Sequence, residues 1–150
     1  MTVLEPGPGM GFFTLPLARM VGPSGRVVAV DIQPKMLASL KRRLTRAGLQ
    51  ERADVRVCPA DTMGLADLAG KVDLSVAIAM VHELPEGNHF FEEVAAALKP
   101  GGCVLLVEPA GHVKPPAFDA ELETAARAGL ETIDRPTVQR SHAAVLRKRG

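Results

Sequence analysis

The stretch VLEPGPGMG, residues 3–11, decides the fold. It continues a short apolar run, Thr2–Glu5, that we predict to be a buried strand, and its three glycines then break the run. The apolar segment Phe12–Val21 follows and is predicted to be a helix. Pro16 is tolerated only in a first helical turn, which places the helix start near Phe12 or Phe13. Glycines let a backbone approach a ligand, and a helix N-terminus offers free N–H groups, so this unit predicts a binding site.

A second strand follows and ends on an acidic residue. Arg26–Asp31 is almost wholly apolar, as a strand covered on both faces of a sheet requires. Asp31 lies about 20 residues beyond Gly11. A carboxylate at the end of this strand can accept hydrogen bonds from ribose hydroxyls. The first two strands therefore predict a nucleoside site at the carboxyl edge of a sheet.

Helices and strands alternate along the rest of the chain. This alternation predicts an α/β fold with helices on both faces of a mostly parallel sheet, plus an antiparallel strand near the C-terminus. No linker or internal repeat divides the chain, so residues 1–150 are predicted to form one domain. The elements predicted after the second strand are helix Pro34–Ala47, strand Val55–Cys58, a short helix or loop Met63–Leu68, strand Val72–Met80, helix Gly87–Leu98, strand Cys103–Val107, a helix from Pro115 to about Ala128, and strands Leu130–Asp134 and His142–Leu146.

The composition excludes several classes of protein. The chain has 150 residues, with 18 basic and 17 acidic side chains and 47% apolar residues, which disfavours disorder and binding to polyanions by bulk charge. No apolar run reaches the ~20 residues that cross a bilayer, and the N-terminus lacks a secretory signal. Cys58 and Cys103 alone cannot build a disulfide framework or a zinc site. We therefore expect a cytoplasmic protein without a nucleic-acid partner or a membrane span.

The spacing of the glycines discriminates between nucleotide sites. The dinucleotide fingerprint G-x-G-x-x-G needs a further glycine at position 12 or 14, and these positions hold Phe12 and Thr14. A nicotinamide cofactor is therefore disfavoured, although it stays open as an alternative. A P-loop is excluded, because no Gly-Lys-Ser/Thr sequence follows the glycines.

The order of the motifs resembles that of the class I S-adenosylmethionine-dependent methyltransferases. Their first motif joins an apolar strand, an acidic residue and G-x-G-x-G, matched here by Glu5 with Gly7, Gly9 and Gly11. The segments VVAVDIQPKML, CPADTMGL, VDLSVAIAMVHELPE and LKPGGCVLLVEP match the later motifs in the same order. The chain most resembles the small-molecule branch of this family and is similar to the ubiquinone and menaquinone methyltransferases. It implies a Rossmann-like three-layer sandwich with strand order 3-2-1-4-5 for the first five strands.

The resemblance also implies a cofactor, S-adenosylmethionine, with S-adenosylhomocysteine as the product. Its ribose would be held by Asp31, its adenine would lie near Asp61 and Thr62 with Ile32 packed on its face, and its methionine end would lie near Glu5. The complete set of predicted cofactor-binding residues is Glu5, Gly7, Gly9, Gly11, Asp31, Ile32, Asp61, Thr62 and Met80.

Two residues after the fourth strand are candidates for catalysis. His82 and Glu83 should lie at the carboxyl edge of the sheet, where Glu108 and His112 follow the fifth strand. Methyl transfer from a sulfonium needs no obligatory acid or base, because alignment and desolvation can supply most of the acceleration. His82 is therefore a general base only for an acceptor that must lose a proton, and the sequence favours a pocket-shaping role for it. No metal site is predicted, because these residues are few and irregularly spaced.

The sequence leaves three hypotheses for the function open. The main prediction is direct methyl transfer to a small-molecule acceptor. A domain that binds S-adenosylmethionine without catalysis is a second hypothesis, and a nicotinamide-binding domain is a third. The first strand begins almost at Met1, so we expect the N-terminal helix of the resembled family to be absent. One apolar face of the fourth and fifth strands should then be bare, and we expect a second copy or a segment outside this chain to bury it.

Overall fold

The computed structural model describes all 150 residues, Met1–Gly150. Seven strands form one sheet in the order β3-β2-β1-β4-β5-β7-β6. Strands β1 to β5 pair in parallel, and β7 is antiparallel to both of its neighbours. The elements are β1 Thr2–Pro6, α1 Thr14–Val21, β2 Arg26–Asp31, α2 Pro34–Arg46, β3 Ala53–Val57, β4 Val72–Ile78, α3 Phe90–Ala97, β5 Leu98–Pro109, α4 Pro115–Arg127, β6 Leu130–Asp134 and β7 Ser141–Lys148. The predicted α/β fold and the order of its first five strands are confirmed.

The two faces of the sheet have separate cores. On one face, α1 and α2 bury Ala18, Leu37, Leu40 and Leu44. They pack against the side of β1 and β2 that carries the odd-numbered residues. On the other face, α3 and α4 pack over β4, β5 and β7, with Phe118 completely buried. Side chains alternate across a strand, so each central strand contributes to both cores. This is the three-layer arrangement that the resemblance implied.

Part of the first face carries no helix. Leu105 and Val145 lie on the same side of β5 and β7, beyond α1 and α2, whereas Leu74 and Ile78 on β4 pack against the border of the first core. All four residues are half-buried. Phe12, beside this face, is 78% exposed. We call this area the uncovered face. It matches the bare apolar surface expected from the sequence.

Several element boundaries differ from the sequence-based ones. α1 starts at Thr14 because a turn precedes it, in which the Gly11 N–H donates to the Pro8 carbonyl at 3.1 Å. Pro16 still lies in the first helical turn, as predicted. β5 starts at Leu98 rather than Cys103, because Leu98 already pairs with Val72 before the register shifts.

The opposite edge of the sheet is fixed by one carboxylate. Asp73, at the start of β4, accepts the Thr2 N–H at 2.7 Å and the Lys99 ammonium at 2.8 Å. These contacts lower the pKa of Asp73, the lysine contact most, followed by the Thr2 hydrogen bond. They join the starts of β1, β4 and β5, far from the carboxyl edge. None of the helices is long and apolar enough to cross a membrane.

Candidate functional site

Two adjoining cavities open at the carboxyl edge of the sheet. The smaller has a volume of about 310 Å³ and the larger about 330 Å³, both at the lower end of the range for ligand pockets. They share Pro6, Gly7, Gly9, Met36 and Ala79 in their walls. Since these residues belong to or flank the glycine turn, the cavities form one groove across it. We call this the turn groove.

The glycine turn leaves open space at one glycine and is tightly packed at another. Gly9 has φ +59°, and a Cβ built there would meet only the Met36 methyl group, at 3.9 Å, so the groove is free for a ligand above it. A Cβ on Gly11 would lie 2.5 Å from Leu40 Cδ1. Gly11 is buried and lines neither cavity, so its glycine is needed for packing α1 against α2. The structure therefore places Gly11 in a packed position outside the groove, and its contact with the cofactor stays a prediction.

A buried carboxyl group lies at the smaller-cavity end of the turn groove. Glu5, at the end of β1, is 4% exposed and accepts a hydrogen bond from the Thr14 hydroxyl. Burial raises the pKa of Glu5 from 4.5 to about 7, although the hydrogen bond from Thr14 lowers it. Because Glu5 also lines the cavity, a cationic group or hydrogen-bond donor placed there would favour its ionised form.

The larger cavity gathers the remaining predicted cofactor residues. Asp31 is held by the Gln33 N–H, which donates to its Oδ1 at 3.1 Å, and exposed Ile32 follows it in the wall. Asp61, Thr62 and Met80 line the same cavity. The structure thus brings together, on the turn groove, all the predicted cofactor residues except Gly11.

Glu93 and Ala79 belong to this site, and the sequence analysis missed both. Glu93, on α3, accepts the Thr62 hydroxyl at 2.5 Å and the Met63 N–H at 3.0 Å, which fixes the loop after β3. Ala79 has φ +56°, unusual for a residue with a side chain, and its N–H donates to Val107 at 2.8 Å. Helical periodicity shows only that Glu93 is off the apolar stripe, and no local pattern marks a strained alanine.

The predicted catalytic residues lie at the other side of the larger cavity. Glu83 lines it, whereas His82 lines neither cavity. His82 Nδ1 is 3.0 Å from Oε1 of Glu108, which is completely buried at the end of β5. The ring of His112 stacks on that of His82, with centroids 6.1 Å apart. The segment after β4 therefore contacts the end of β5 and the segment that follows it, as predicted. These contacts lie on the side of the sheet that faces α4.

Glu121, on α4, completes this cluster and was not predicted. It lies beside Glu108. Burial, and then interaction with the neighbouring carboxyl group of Glu108, raise the pKa of Glu121 from 4.5 to about 8. No pattern in the sequence singles it out, because Glu121 is one of several acidic residues along α4. No three side chains of the metal-ligating types converge in a metal-binding geometry.

Comparison with known proteins identifies the family of this chain. A family model described as "Methyltransferase domain" matches residues 3–102, which hold β1 to β4 and the start of β5. The chain belongs to this methyltransferase family. The predicted membership of the class I S-adenosylmethionine-dependent methyltransferases is therefore confirmed, and the family implies S-adenosylmethionine as cofactor.

Named relatives of this methyltransferase chain include enzymes of small-molecule chemistry. A catechol O-methyltransferase from Mycobacterium tuberculosis is 38% identical over 71% of this chain and 46% of its own length. A ubiquinone/menaquinone biosynthesis C-methyltransferase, UbiE, from Hydrogenovibrio crunogenus is 30% identical over 71% of this chain and 41% of its own. An arsenite methyltransferase from Halobacterium salinarum is 29% identical over 89% and 34%. The chain thus spans less than half the length of these relatives.

Solved structures share the fold of this methyltransferase. An S-adenosylmethionine-dependent methyltransferase from Aquifex aeolicus superposes with a TM-score of 0.86 at 24% identity, over 98% of this chain and 81% of its own. The [4+2]-cyclase SpnF gives a TM-score of 0.80 at 18% identity, over 99% and 75%. At these identities the likeness concerns the fold alone.

Proposed function

We propose that this chain is one domain that binds S-adenosylmethionine in the turn groove and transfers its methyl group to a small-molecule acceptor. The observation that carries the proposal is the groove itself. It runs unobstructed over Gly9, with buried Glu5 at one end and Asp31 at the other. A backbone turn open above a glycine and flanked by two carboxyl groups fits a long ligand with a cation at one end and a ribose at the other.

Each side chain along the groove has one task in this proposal. Asp31 accepts hydrogen bonds from both ribose hydroxyls, with its free oxygen and with the one already held by the Gln33 N–H. Ile32 packs against the adenine, and Asp61 with Thr62 borders that ring. Glu5 attracts the ammonium group of the methionine end. Met80 lies at the junction between the cofactor and the acceptor, where its Cβ would be 3.2 Å from a Cβ on Gly7.

Direct displacement is the reaction that this site suits. The bound cofactor supplies a methyl group on a sulfonium, whose sulfur leaves as a neutral thioether. The chain's own residues then have to align the acceptor and exclude water, and alignment can be worth roughly 7–11 kcal/mol of the barrier. The names of the catechol and menaquinone relatives support a small-molecule acceptor.

A screen for S-adenosylhomocysteine release against pooled metabolites tests this function. Turnover with one pool, lost when S-adenosylmethionine is omitted, is the expected result. Binding of S-adenosylmethionine without turnover in any pool would favour the binding-module hypothesis. Binding of a nicotinamide nucleotide instead would favour the third hypothesis, against which the family match already argues.

We propose a reducing compartment, the cytoplasm, for this reaction. Cys58 and Cys103 are both free thiols, and Cys58 lines the larger cavity. Oxidation of a thiol in the cavity wall would disturb the site, so a compartment that keeps cysteines reduced suits it.

We also propose that a second copy of the chain buries the uncovered face. Half-buried Leu74, Leu105 and Val145 form an apolar surface that seldom stays in contact with water. Sedimentation equilibrium at micromolar concentration should show a dimer, and Leu105→Glu should dissociate it. A monomeric wild-type chain that excludes hydrophobic dyes would contradict this proposal.

A further inference from the structure

Three acid–base side chains from separate elements meet on the side of the sheet that faces α4. His82 comes from the turn after β4, Glu108 from the end of β5 and Glu121 from α4. The His82 Nδ1 atom lies 3.0 Å from Glu108 Oε1, and Glu108 is completely buried. Methyl transfer by alignment alone requires none of these contacts. A fully buried charged group is rare unless it is paired, so the cluster needs a physical account.

Two buried oxygens in this cluster have no hydrogen-bond partner. They are Oε2 of Glu108 and Oε1 of Glu121. The two carboxyl groups are neighbours, but two ionised carboxylates have no proton to donate to each other. One proton between them gives both oxygens a partner and removes one buried charge. The raised pKa of Glu121, about 8, agrees with a proton on this residue at neutral pH.

A shared proton on Glu121 fixes the rest of the chain of contacts. Glu108 then carries the negative charge and can only accept a hydrogen bond from the ring of His82. That bond requires the proton of His82 to lie on Nδ1, so Nε2 keeps a free electron pair. Nε2 lies 3.8 Å from Oε1 of Glu83, and Glu83 lines the larger cavity. The free pair therefore lies beside Glu83, which forms part of the wall of the cavity that we assign to the cofactor and acceptor.

We propose that Glu121 is a positioning residue that shares its proton with Glu108 and thereby holds His82 as a base for an acceptor whose attacking atom carries a proton. The inference rests on the proposed function and names its substrate class: hydroxyl, thiol or acidic carbon acceptors. As the acceptor's bond to hydrogen breaks, its electron pair forms the bond to the methyl carbon, and the proton goes to His82 Nε2. The pair of the carbon–sulfur bond stays on sulfur. Glu108 and Glu83 then stabilise the imidazolium from both sides.

The tautomer of His82 tests this arrangement without cofactor or acceptor. In long-range proton–nitrogen NMR spectra of the labelled protein at pH 7, we expect His82 to be protonated on Nδ1 only. His82→Gln assigns the signals. A His82 protonated on Nε2 in the wild-type protein would overturn the proposal.

Two substitutions at Glu121 separate positioning from simple packing. Glu121→Gln keeps an N–H donor for Glu108 and should preserve the Nδ1 tautomer. Glu121→Met fills a similar volume without a donor and should give a mixture of tautomers. Glu123→Met, at an exposed position on the same helix, is the control and should change nothing. A tautomer that stays the same in Glu121→Met would contradict the positioning role. If Glu121→Met fails to fold, loss of the tautomer in Glu121→Gln would contradict it.

Turnover of an acceptor found by the metabolite screen gives a second, independent readout. His82→Ala should lower kcat by about 10²–10⁴-fold with an unchanged Kd for S-adenosylmethionine. Glu121→Met should lower kcat at least about tenfold, and Glu121→Gln should restore most of it. A fall of less than tenfold in His82→Ala would contradict the base. Failure of the wild-type chain to bind S-adenosylmethionine would instead refute the proposed function, whatever the tautomer.

Discussion

The two halves of the carboxyl edge are built in different ways. The half formed by β1 and β2 holds its site with backbone, since the glycine turn and the Gln33 N–H that anchors Asp31 are local structures. The half formed by β4 and β5 relies on contacts between distant side chains, with His82 and Glu108 26 residues apart. The first half is thus suited to binding a ligand common to a family. The second is suited to chemistry that depends on the individual acceptor.

The largest expected effect on cofactor binding comes from a substitution in the glycine turn. Gly9→Val should abolish S-adenosylmethionine binding, because its side chain would occupy the groove and the residue has φ +59°. Gly48→Val is the matched control, since Gly48 has φ +71° in open space away from both cavities. Isothermal titration calorimetry measures both. Normal binding by a folded Gly9→Val variant would move the site elsewhere.

A smaller loss of cofactor binding should follow when the Asp31 side chain is removed from the same half. Asp31→Ala should weaken S-adenosylmethionine binding by about 10–150-fold, roughly 1.5–3 kcal/mol, if its carboxylate holds both ribose hydroxyls. Asp134→Ala is the control, because Asp134 also ends a strand and accepts a backbone N–H, but from the far edge of the sheet. An unchanged Kd for Asp31→Ala, with the fold intact by circular dichroism, would refute the ribose assignment.

The smallest expected effect is a pH dependence in the side-chain half. The pKa of Glu121 is raised from 4.5 to about 8, so the folded chain binds more protons than the unfolded chain between these values. Its stability should therefore fall as pH rises through this range. Glu121→Gln should remove about 1 kcal/mol of that fall, a small value because solvent screens a half-buried group. Urea unfolding at pH 5, 6.5 and 8 measures it.

Glu5 is the other carboxyl group whose pKa is raised, so its effect on stability has to be measured separately. Glu5, with a pKa of about 7, should cause a fall of the same sign over a slightly lower range. Glu5→Gln should thus flatten the curve mainly below pH 7, and Glu121→Gln should flatten it up to pH 8. Identical curves for Glu121→Gln and the wild-type chain would mean that Glu121 does not hold a proton in the folded state.

The sequence could predict that the residues of the first half lie together, because the determinants of their positions are local. Asp31 follows an apolar strand, and Gly9 lies in a turn between a strand and a helix, so spacing alone places them. Glu121 and Glu93 could not be predicted, because each is brought to the edge by a helix whose position depends on the whole core. Gly11 shows a further limit: the motif marks the position, but its close packing against Leu40 depends on where α2 lies.

The distinction between local determinants and contacts with distant residues also explains the element boundaries. The start of α1 moved to Thr14 because backbone bonds within the glycine turn compete with the first helical turn. β5 extends back to Leu98 because pairing with Val72 overrides the turn signal of the following proline and glycines. The strand order came from the resemblance to the methyltransferases, and right-handed crossovers then place α1 and α2 on one face of the sheet.

Calorimetric titration of the wild-type chain with S-adenosylmethionine, S-adenosylhomocysteine and NAD tests the central claim most directly. We expect saturable one-to-one binding of both adenosyl compounds and no heat with NAD. The turn groove provides the reason, since it places the Asp31 carboxylate beside an open glycine turn that lacks the dinucleotide fingerprint. Binding of NAD alone, or of none of the three, would contradict the account.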